Sequence, residues 1–565
     1  QKHSGGVRGF KERKHCRGDS VMKRYLNVMP LDEVFSLLAR EFPCTPAVET
    51  VPLEAASGRI TARPVFGTYS VPEIHLAAMD GIAVVSEETR GASEQHPVTL
   101  DHTARVNTGN VVPPGYDAVI MIEDVWENEG KYTIRKSAGP WQHVRPAGED
   151  LAESEMVMPS RHRIRPHEIG ALATYGITGL DVITVRIGLV PTGSELVAAG
   201  TRPAPGQVVE SNTVMAKAML EAAGARCTRY PFVEDRPEKI RDAIAAACSD
   251  NDIVIVSAGS SAGTKDYTAD VIAGLGTVLV HGIGTKPGKP AIIGNVDKKP
   301  VFGLPGYPLS AITVIRELVL PFIRNYGLFI PEPQVIRAVV TSSLPKEIGS
   351  DEFVQCTLGK VGDRWTVSPQ SKGAGVQMSA VRANAYIKVP RDSEGFNAGD
   401  MVDARLLVPV QEAEHALLIT GSHDPVLDHL ADLLQPTGVT LISTHVGSMG
   451  GIIALKKDEC HAAPIHLLSP DGTYNTAYIR KYLPGTEVDL ICVAGRQQGI
   501  VSHDGLALPD LRGRMFINRQ KGSGTRMLLD YELKKAGIDP SAIPGYERAV
   551  TTHIAVALAV KSGEA

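Results

Sequence analysis

Residues 257–268 read Ser-Ala-Gly-Ser-Ser-Ala-Gly-Thr-Lys-Asp-Tyr-Thr and stand directly after the apolar run 253–256. A buried strand here empties into a glycine/serine loop that closes on a lysine and an aspartate. Backbone N–H groups pooled where a strand hands over to a helix can hold an anion. Gly259, Ser260, Ser261 and Gly263 are therefore candidates for a phosphate, and Asp266 for a metal carboxylate beside it. An ordinary strand-to-helix turn would use the same glycines. A second copy of the logic weighs towards chemistry: Val301-Phe-Gly-Leu-Pro-Gly-Tyr-Pro308 is another apolar strand ending in a tight turn, which adds Pro305, Gly306 and Pro308. Pro308 suits the first turn of a helix, where its missing N–H would go unpaired anyway. Between the two loops, Gly284-Thr-Lys-Pro-Gly-Lys-Pro290 holds Lys286 and Lys289 three apart on a stretch stiffened by two prolines. Two point charges on a rigid loop suit a phosphorylated ligand, although a single loop lysine is by default a solvated one.

The elements that must position these loops follow from periodicity. The run 253–256 is continuous rather than alternating, as expected of a strand covered on both faces. From 183 to about 325, strands and helices alternate, which predicts a parallel sheet with helices on both faces. Its parts are a strand at 185–190, a helix at 211–223 capped by Ser211 or Asn212 and stopped at Gly224, and helices at 237–248 and 310–323. Upstream, 31–42 has helical spacing, 59–150 is strand-like and turn-rich, and 165–176 returns to a helix. Residues 331–409 are all-β in pattern, with hairpin punctuation at Gly362-Asp363. A new unit follows 410. Strands at 416–420, 439–443 and 514–518 each lead through a glycine- or serine-bearing loop into a helix.

Composition bounds the answer without choosing it. A chain of 565 residues, 43% hydrophobic and 21% charged, reads as a soluble globular protein of about four domains. A net charge of −5 gives no nucleic-acid footprint, and no apolar run is long enough to span a membrane. The seven cysteines are scattered, without a CxxC pair, and read as reduced thiols of a cytoplasmic protein. Residues 1–21 are basic but lack an apolar core, so they read as a disordered extension rather than a secretory signal.

Taken in order, several motifs resemble the MoeA family of molybdopterin molybdenumtransferases. They are Ala78-Met-Asp-Gly-Ile-Ala-Val84, Asn107-Thr-Gly-Asn110, Pro114-Gly-Tyr-Asp-Ala-Val119, Gly148-Glu-Asp150, Thr192-Gly-Ser-Glu-Leu196, Glu234-Asp-Arg-Pro237 and the three loops above. The resemblance runs from about 22 to 409. It implies an elongated four-domain core: 22–58 with 151–182 as an N-terminal linker domain, 59–150 as a β-rich domain, 183–330 as a molybdopterin-binding α/β domain, and 331–410 as a small β-barrel. It further implies that molybdate or tungstate is inserted into adenylylated molybdopterin, with release of AMP and dependence on Mg2+, in a homodimer that meets the upstream adenylyltransferase. Carried over position by position, Asp235, Asp266 and Glu195 are metal carboxylates. Asp80, Asp150 and Thr108 would reach the cleft from the other subunit, and Ser379 stands where the barrel's serine-bearing loop would be. Ala78 and Ile82 depart from the serine and tyrosine common in the family, so a hydroxyl contact beside Asp80 is in question.

Residues 411–565 resemble the substrate-binding-protein fold of periplasmic molybdate binders and regulator effector domains, with a last strand and helix expected beyond 565. Ser422, Ser448 and Thr525 stand at the three strand-to-helix junctions and Arg519 and Arg526 flank the third, as candidate oxyanion donors. Helix caps alone would need the same residues. Two other functions remain open: a molybdopterin adenylyltransferase, whose loop usually reads Gly-Gly-Thr-Gly, and a non-catalytic oxyanion sensor or scaffold that keeps the fold without turnover.

Overall fold

The computed structural model describes residues 28–257, 267–370, 377–469, 471–495 and 497–565. The basic stretch 1–21 and the loop candidates Gly259, Ser260, Ser261, Gly263 and Asp266 lie outside the described residues.

Six strands form the sheet that carries the candidate loops, in the order Arg226–Arg229, Arg186–Pro191, Ile253–Ser257, Lys299–Leu304, Ile292–Val296, Thr277–His281. The first four run parallel. The central strands Arg186–Pro191, Ile253–Ser257 and Lys299–Leu304 are buried on both faces, and that is why they read as near-continuous apolar runs, whereas the edge strand Arg226–Arg229 is largely exposed. Ile187, Leu189, Ile253, Ile255 and Phe302 pack with Ala216 and Leu220 of helix Asn212–Ala222 and with Ala311 and Val314 of helix Pro308–Val314. On the opposite face Val190, Val254, Val256 and Val301 meet Ile240 and Ile244 of helix Pro237–Asp250 and Val271 and Ile272 of helix Thr268–Leu275.

The all-parallel expectation is corrected at one edge, where Ile292–Val296 runs antiparallel to both its neighbours, Lys299–Leu304 and Thr277–His281. The link between Val296 and Lys299 is a two-residue turn, Asp297-Lys298, with both residues in the left-handed region at φ 52° and 63°. Such a turn suits a tight hairpin, but it lacks the glycine that usually announces one. The helix expected at 310–323 begins at Pro308 and changes to a π-helical turn over Ile315–Val319 before continuing as Leu320–Ile323. Pro321 cannot donate to the preceding turn, and the local widening accommodates it.

Strands Val335–Val340, Asp351–Val361, Arg364–Pro369, Ala385–Val389 and Met401–Leu406 close into a five-stranded barrel. Its interior is filled by Val340, Val354, Cys356, Leu358, Val367, Ile387 and Ala404. In the strand-rich part, Gly81–Val84 lies between Ala104–Val106 and Ala118–Met121, antiparallel to both. Residues 47–52 pair antiparallel with 179–184, so the chain leaves for this strand-rich excursion and returns beside its point of departure.

Beyond the barrel, strand Leu417–Gly421 runs parallel to Leu441–His445, with Ala462 bridging Ile419 on the other side. A second small parallel pair, Asn518–Arg519 and Ala549–Val550, sits with helices Gly524–Lys535 and His553–Lys561. The first of these units is seated on the barrel. A Cβ added at Gly359 would come within 2.8–2.9 Å of three Leu418 side-chain atoms, and Lys360 pairs with Glu414 at 2.7 Å. Among the described residues, no helix is long and apolar enough to cross a membrane.

Candidate functional site

Strands 186–191, 253–257 and 299–304 all point their C-terminal ends to one edge of the sheet, where an open α/β sheet characteristically binds its ligand. Past Pro191, Thr192 N–H donates to the Ser257 carbonyl at 2.9 Å and Gly193 N–H to Val233 O at 3.0 Å. Gly193, at φ 153°, is covered by the Glu195 carboxylate, whose oxygens lie 3.0 and 3.1 Å from where a Cβ would stand. Asp235 folds onto the next residue, accepting from Ser194 N–H at 3.2 Å while its own N–H donates to Ser194 Oγ at 3.1 Å. Two of the three predicted metal carboxylates thus meet on one short stretch of backbone. Hard carboxylate oxygens at a sheet edge suit Mg2+. Among the described residues, no group of three His, Cys, Asp or Glu could hold a metal, and Asp266 lies outside them.

The Pro305-Gly306 turn is tied to the same edge. Asn212, at the start of its helix, donates from Nδ2 to Gly306 O at 2.9 Å and Pro305 O at 3.5 Å. The helix cap is a correction. Neither Ser211 nor Asn212 caps it; Glu210, 3% exposed, accepts from Thr213 N–H and Thr213 Oγ1, both at 2.7 Å, and from Arg229 at 3.1 Å. Ser211 Oγ instead receives Gln377 Nε2 at 3.1 Å, from the helix Gln377–Arg382 that carries the buried Ser379. The lysine turn closes the arrangement. A Cβ on Gly288, at φ 113°, would lie 3.0 Å from Val314 Cγ2 and 3.5 Å from Ser310 O, so this turn rests against the helix begun by Pro308. Lys289 is exposed, whereas Lys286 pairs with Glu347 at 3.0 Å.

Asp80 and Thr108 meet directly. Asp80 Oδ1 accepts from Thr108 N–H at 2.6 Å and Thr108 Oγ1 at 3.0 Å. The backbone bond above all, then the hydroxyl, holds the Asp80 carboxyl below its ordinary range. Asp150 accepts from the Tyr175 hydroxyl at 3.2 Å. Among the described residues, no hydrogen bond or ion pair joins Asp80, Thr108 or Asp150 to Glu195, Asp235, Lys286 or Lys289.

At the C-terminal junctions, Ser422 and Ser448 are buried. Ser422 N–H donates to Pro464 O at 2.8 Å, and Ser448 Oγ accepts from His466 N–H at 3.2 Å. The helix beginning at Gly524 abuts the same segment, since a Cβ on Gly524 would lie 2.0 Å from His466 O. The 464–466 stretch therefore gathers all three junctions. Arg526 is engaged by Glu547 at 3.1 Å and stacks over Tyr546 at 4.5 Å, while Arg519 donates to the Thr551 carbonyl at 3.0 Å.

Matches to known families divide the chain in the same order as its elements. The MoeA N-terminal region (domain I and II) matches residues 29–176, a molybdopterin binding domain 188–325, and the MoeA C-terminal region (domain IV) 337–407. A protein of Methanocaldococcus jannaschii named for molybdopterin biosynthesis is 30% identical over 408 residues, covering 68% of this chain and all of that relative. The chain belongs to the MoeA family. A molybdopterin molybdenumtransferase of Staphylococcus epidermidis is 30% identical over 378 residues, covering 63% of the chain and 90% of its own length. Among solved structures, the MoeA protein of Pyrococcus horikoshii matches with a TM-score of 0.57 at 30% identity, covering 68% of this chain and all of that one. Residues 431–565 match the PBP superfamily, so a MoeA core is joined here to a PBP-like domain.

Within this MoeA-family chain, sequence reasoning missed Glu210 and Arg229, whose partnership spans a strand and a loop. It also passed over His423, His445 and His553. His423 and His445 stand at the same strand-to-helix junctions as Ser422 and Ser448, and that position was the available signal; His553 follows a further strand, Ala549–Val550, at the head of its helix.

Proposed function

We propose that this protein inserts molybdate or tungstate into adenylylated molybdopterin with release of AMP, and that its PBP-like domain binds the oxyanion. The observation that carries the transfer reading is the convergence at one sheet edge of Glu195 and Asp235 on Gly193-Ser194, the Asn212-tethered Pro305-Gly306 turn, and the lysine turn on the Pro308 helix. The reaction brings two anions together, and their repulsion must be screened. Asp235, Glu195 and Asp266 would hold a Mg2+ ion, whose charge offsets that of phosphate and oxyanion. Lys286 and Lys289 supply point charges for the phosphates. Backbone N–H groups of the 259–263 loop and of the turn before Pro308 orient the pterin phosphate, with Ser379 at the barrel side.

Asp80, Thr108 and Asp150 complete the site from a second copy of the chain. Their lack of any hydrogen bond or ion pair to the α/β-edge residues of their own chain, among the described residues, favours this arrangement over one closed within a single chain. The setting proposed is cytoplasmic, with the upstream adenylyltransferase as the supplier of substrate. Release of AMP from adenylylated molybdopterin, dependent on both Mg2+ and molybdate, tests the reading. An adenylyltransferase would consume ATP instead, and a sensor would bind oxyanion without turnover; either result would replace it.

A further inference from the structure

The PBP-like domain holds a cluster that the transfer chemistry does not use. His423 follows strand Leu417–Gly421, and His445 ends the adjacent strand opposite Gly421. Their rings stand edge to face with centroids 4.6 Å apart, and the ring of His553, first residue of its helix, lies 6.3 Å from His423. Arg519, only 4% exposed, holds the Thr551 carbonyl just before His553. Arg519, Thr525 and His553 share the lining of a cavity of about 470 Å3. Among the described residues, His423 Nδ1 and Thr525 Oγ1 are shielded from solvent yet have no hydrogen-bond partner. Buried polar atoms are nearly always paired, so an unpaired atom on His423 and another on Thr525, which shares the cavity lining with Arg519 and His553, point to a missing ligand.

The charged groups facing these rings are mixed. Asp424 and Asp428 lie on the loop and helix that follow His423, and Asp424 already accepts from Val426 N–H at 3.0 Å. The cations are Arg519 and, from the barrel, Arg382 at the end of helix Gln377–Arg382. That helix packs on the barrel strand Asp351–Val361, which in turn packs on Leu417–Gly421. Burial first, then these cations and the rings themselves, hold His423 and His445 below the ordinary histidine range. Without a ligand the rings are neutral at pH 7. Among the described residues no group of three His, Cys, Asp or Glu could hold a metal, and the guanidinium groups of Arg519 and Arg382 give the rings a surrounding that suits an anion.

We propose that the oxyanion is bound at a composite site in which His423, His445 and Arg519 donate to it and Arg382 of the barrel completes the positive field, with a proton taken up from solvent as the anion enters. This rests on the reading of the PBP-like domain as an oxyanion binder. The bound anion favours the imidazolium form, so affinity rises as pH falls toward the ligand-free range of the rings. The ligand class is a small, fully ionised tetrahedral dianion.

Titration calorimetry of the full chain with sodium tungstate, at pH 6.5 to 8.5 and in two buffers of different ionisation heat, tests it. Net proton uptake is expected, with tighter binding at lower pH. His423→Gln and His445→Gln should each weaken binding roughly tenfold, the scale of one hydrogen bond to a charged group. Arg382→Gln should weaken it less and leave the proton uptake in place. Thermal melts of the variants check that each is folded, and Thr525→Val serves as a second probe if a histidine variant is not. Binding without proton uptake and unaffected by these substitutions would overturn the composite site while leaving the oxyanion reading intact. If the wild-type chain binds neither tungstate nor molybdate at millimolar concentration, the oxyanion reading itself fails.

Discussion

Asp80 and Asp266 illustrate two ways in which a single acid can be tested. Asp80 is exposed and ionised, held by Thr108, so Asp80→Asn keeps the shape and removes the charge that the substrate would meet. Asp266→Asn, at the exit of the glycine/serine loop, should abolish Mg2+-dependent AMP release with the melting temperature unchanged; near wild-type release would remove it from the metal site. In the PBP-like domain, Ser422→Ala should weaken tungstate binding by about 1.5–3 kcal/mol, one hydrogen bond to a charged group. Ser448→Ala is expected to do the same but is the less clean probe, because Ser448 Oγ also accepts from His466 N–H. Calorimetry read beside a melting curve separates the two costs. Asp80, Asp150, Asp235 and Glu195 stood out as candidates because they sit in local motifs. Glu210 did not: its meaning depends on Arg229, which arrives from another strand, and no spacing in the sequence reports that meeting.

Helix ends and turns account for most of what local pattern left unread. The helix Asn212–Ala222 was legible from apolar spacing and Gly224, yet its cap is a buried carboxylate upstream of the hydroxyl and amide residues that usually serve. Glu210→Ala should lower stability by on the order of 3 kcal/mol, since it strands the Thr213 N–H and the Arg229 guanidinium together. It should also loosen the turn that Asn212 holds, seen as a raised KM for the pterin substrate. A second helix offers a pH test. Burial alone would raise Glu168, but hydrogen bonds from the Arg165 side chain and backbone and from His162 hold it at about 2. A depressed carboxylate stabilises the fold above its unfolded value near 4.5 and loses that contribution as pH falls towards about 2. The stability gap between wild type and Glu168→Gln should therefore close across that window, as read by chemical denaturation at successive pH values. The antiparallel edge of the sheet escaped notice for a related reason. Asp297-Lys298 adopts a left-handed turn without glycine, so the reversal carries no compositional mark.

At the scale of the molecule, the order of motifs made the MoeA core legible, because many weak signals in sequence are jointly specific. The seating of the PBP-like domain was not, since it depends on a contact between a barrel strand and a strand some sixty residues away. If the active site is shared between copies, mixing Asp80→Asn with Asp266→Asn should regenerate AMP release in heterodimers, each having one intact composite site. No recovery after subunit exchange verified by mass spectrometry would argue for a site closed within one chain. The contact at Gly359 has a wider consequence. Leu418 occupies the space that any side chain at 359 would need, so the barrel wall is notched to receive its neighbour. Position 359 therefore answers to the domain beyond the barrel rather than to the barrel itself: any side chain placed there must displace Leu418, so a bulkier residue should loosen the seating of the following domain before it disturbs the barrel.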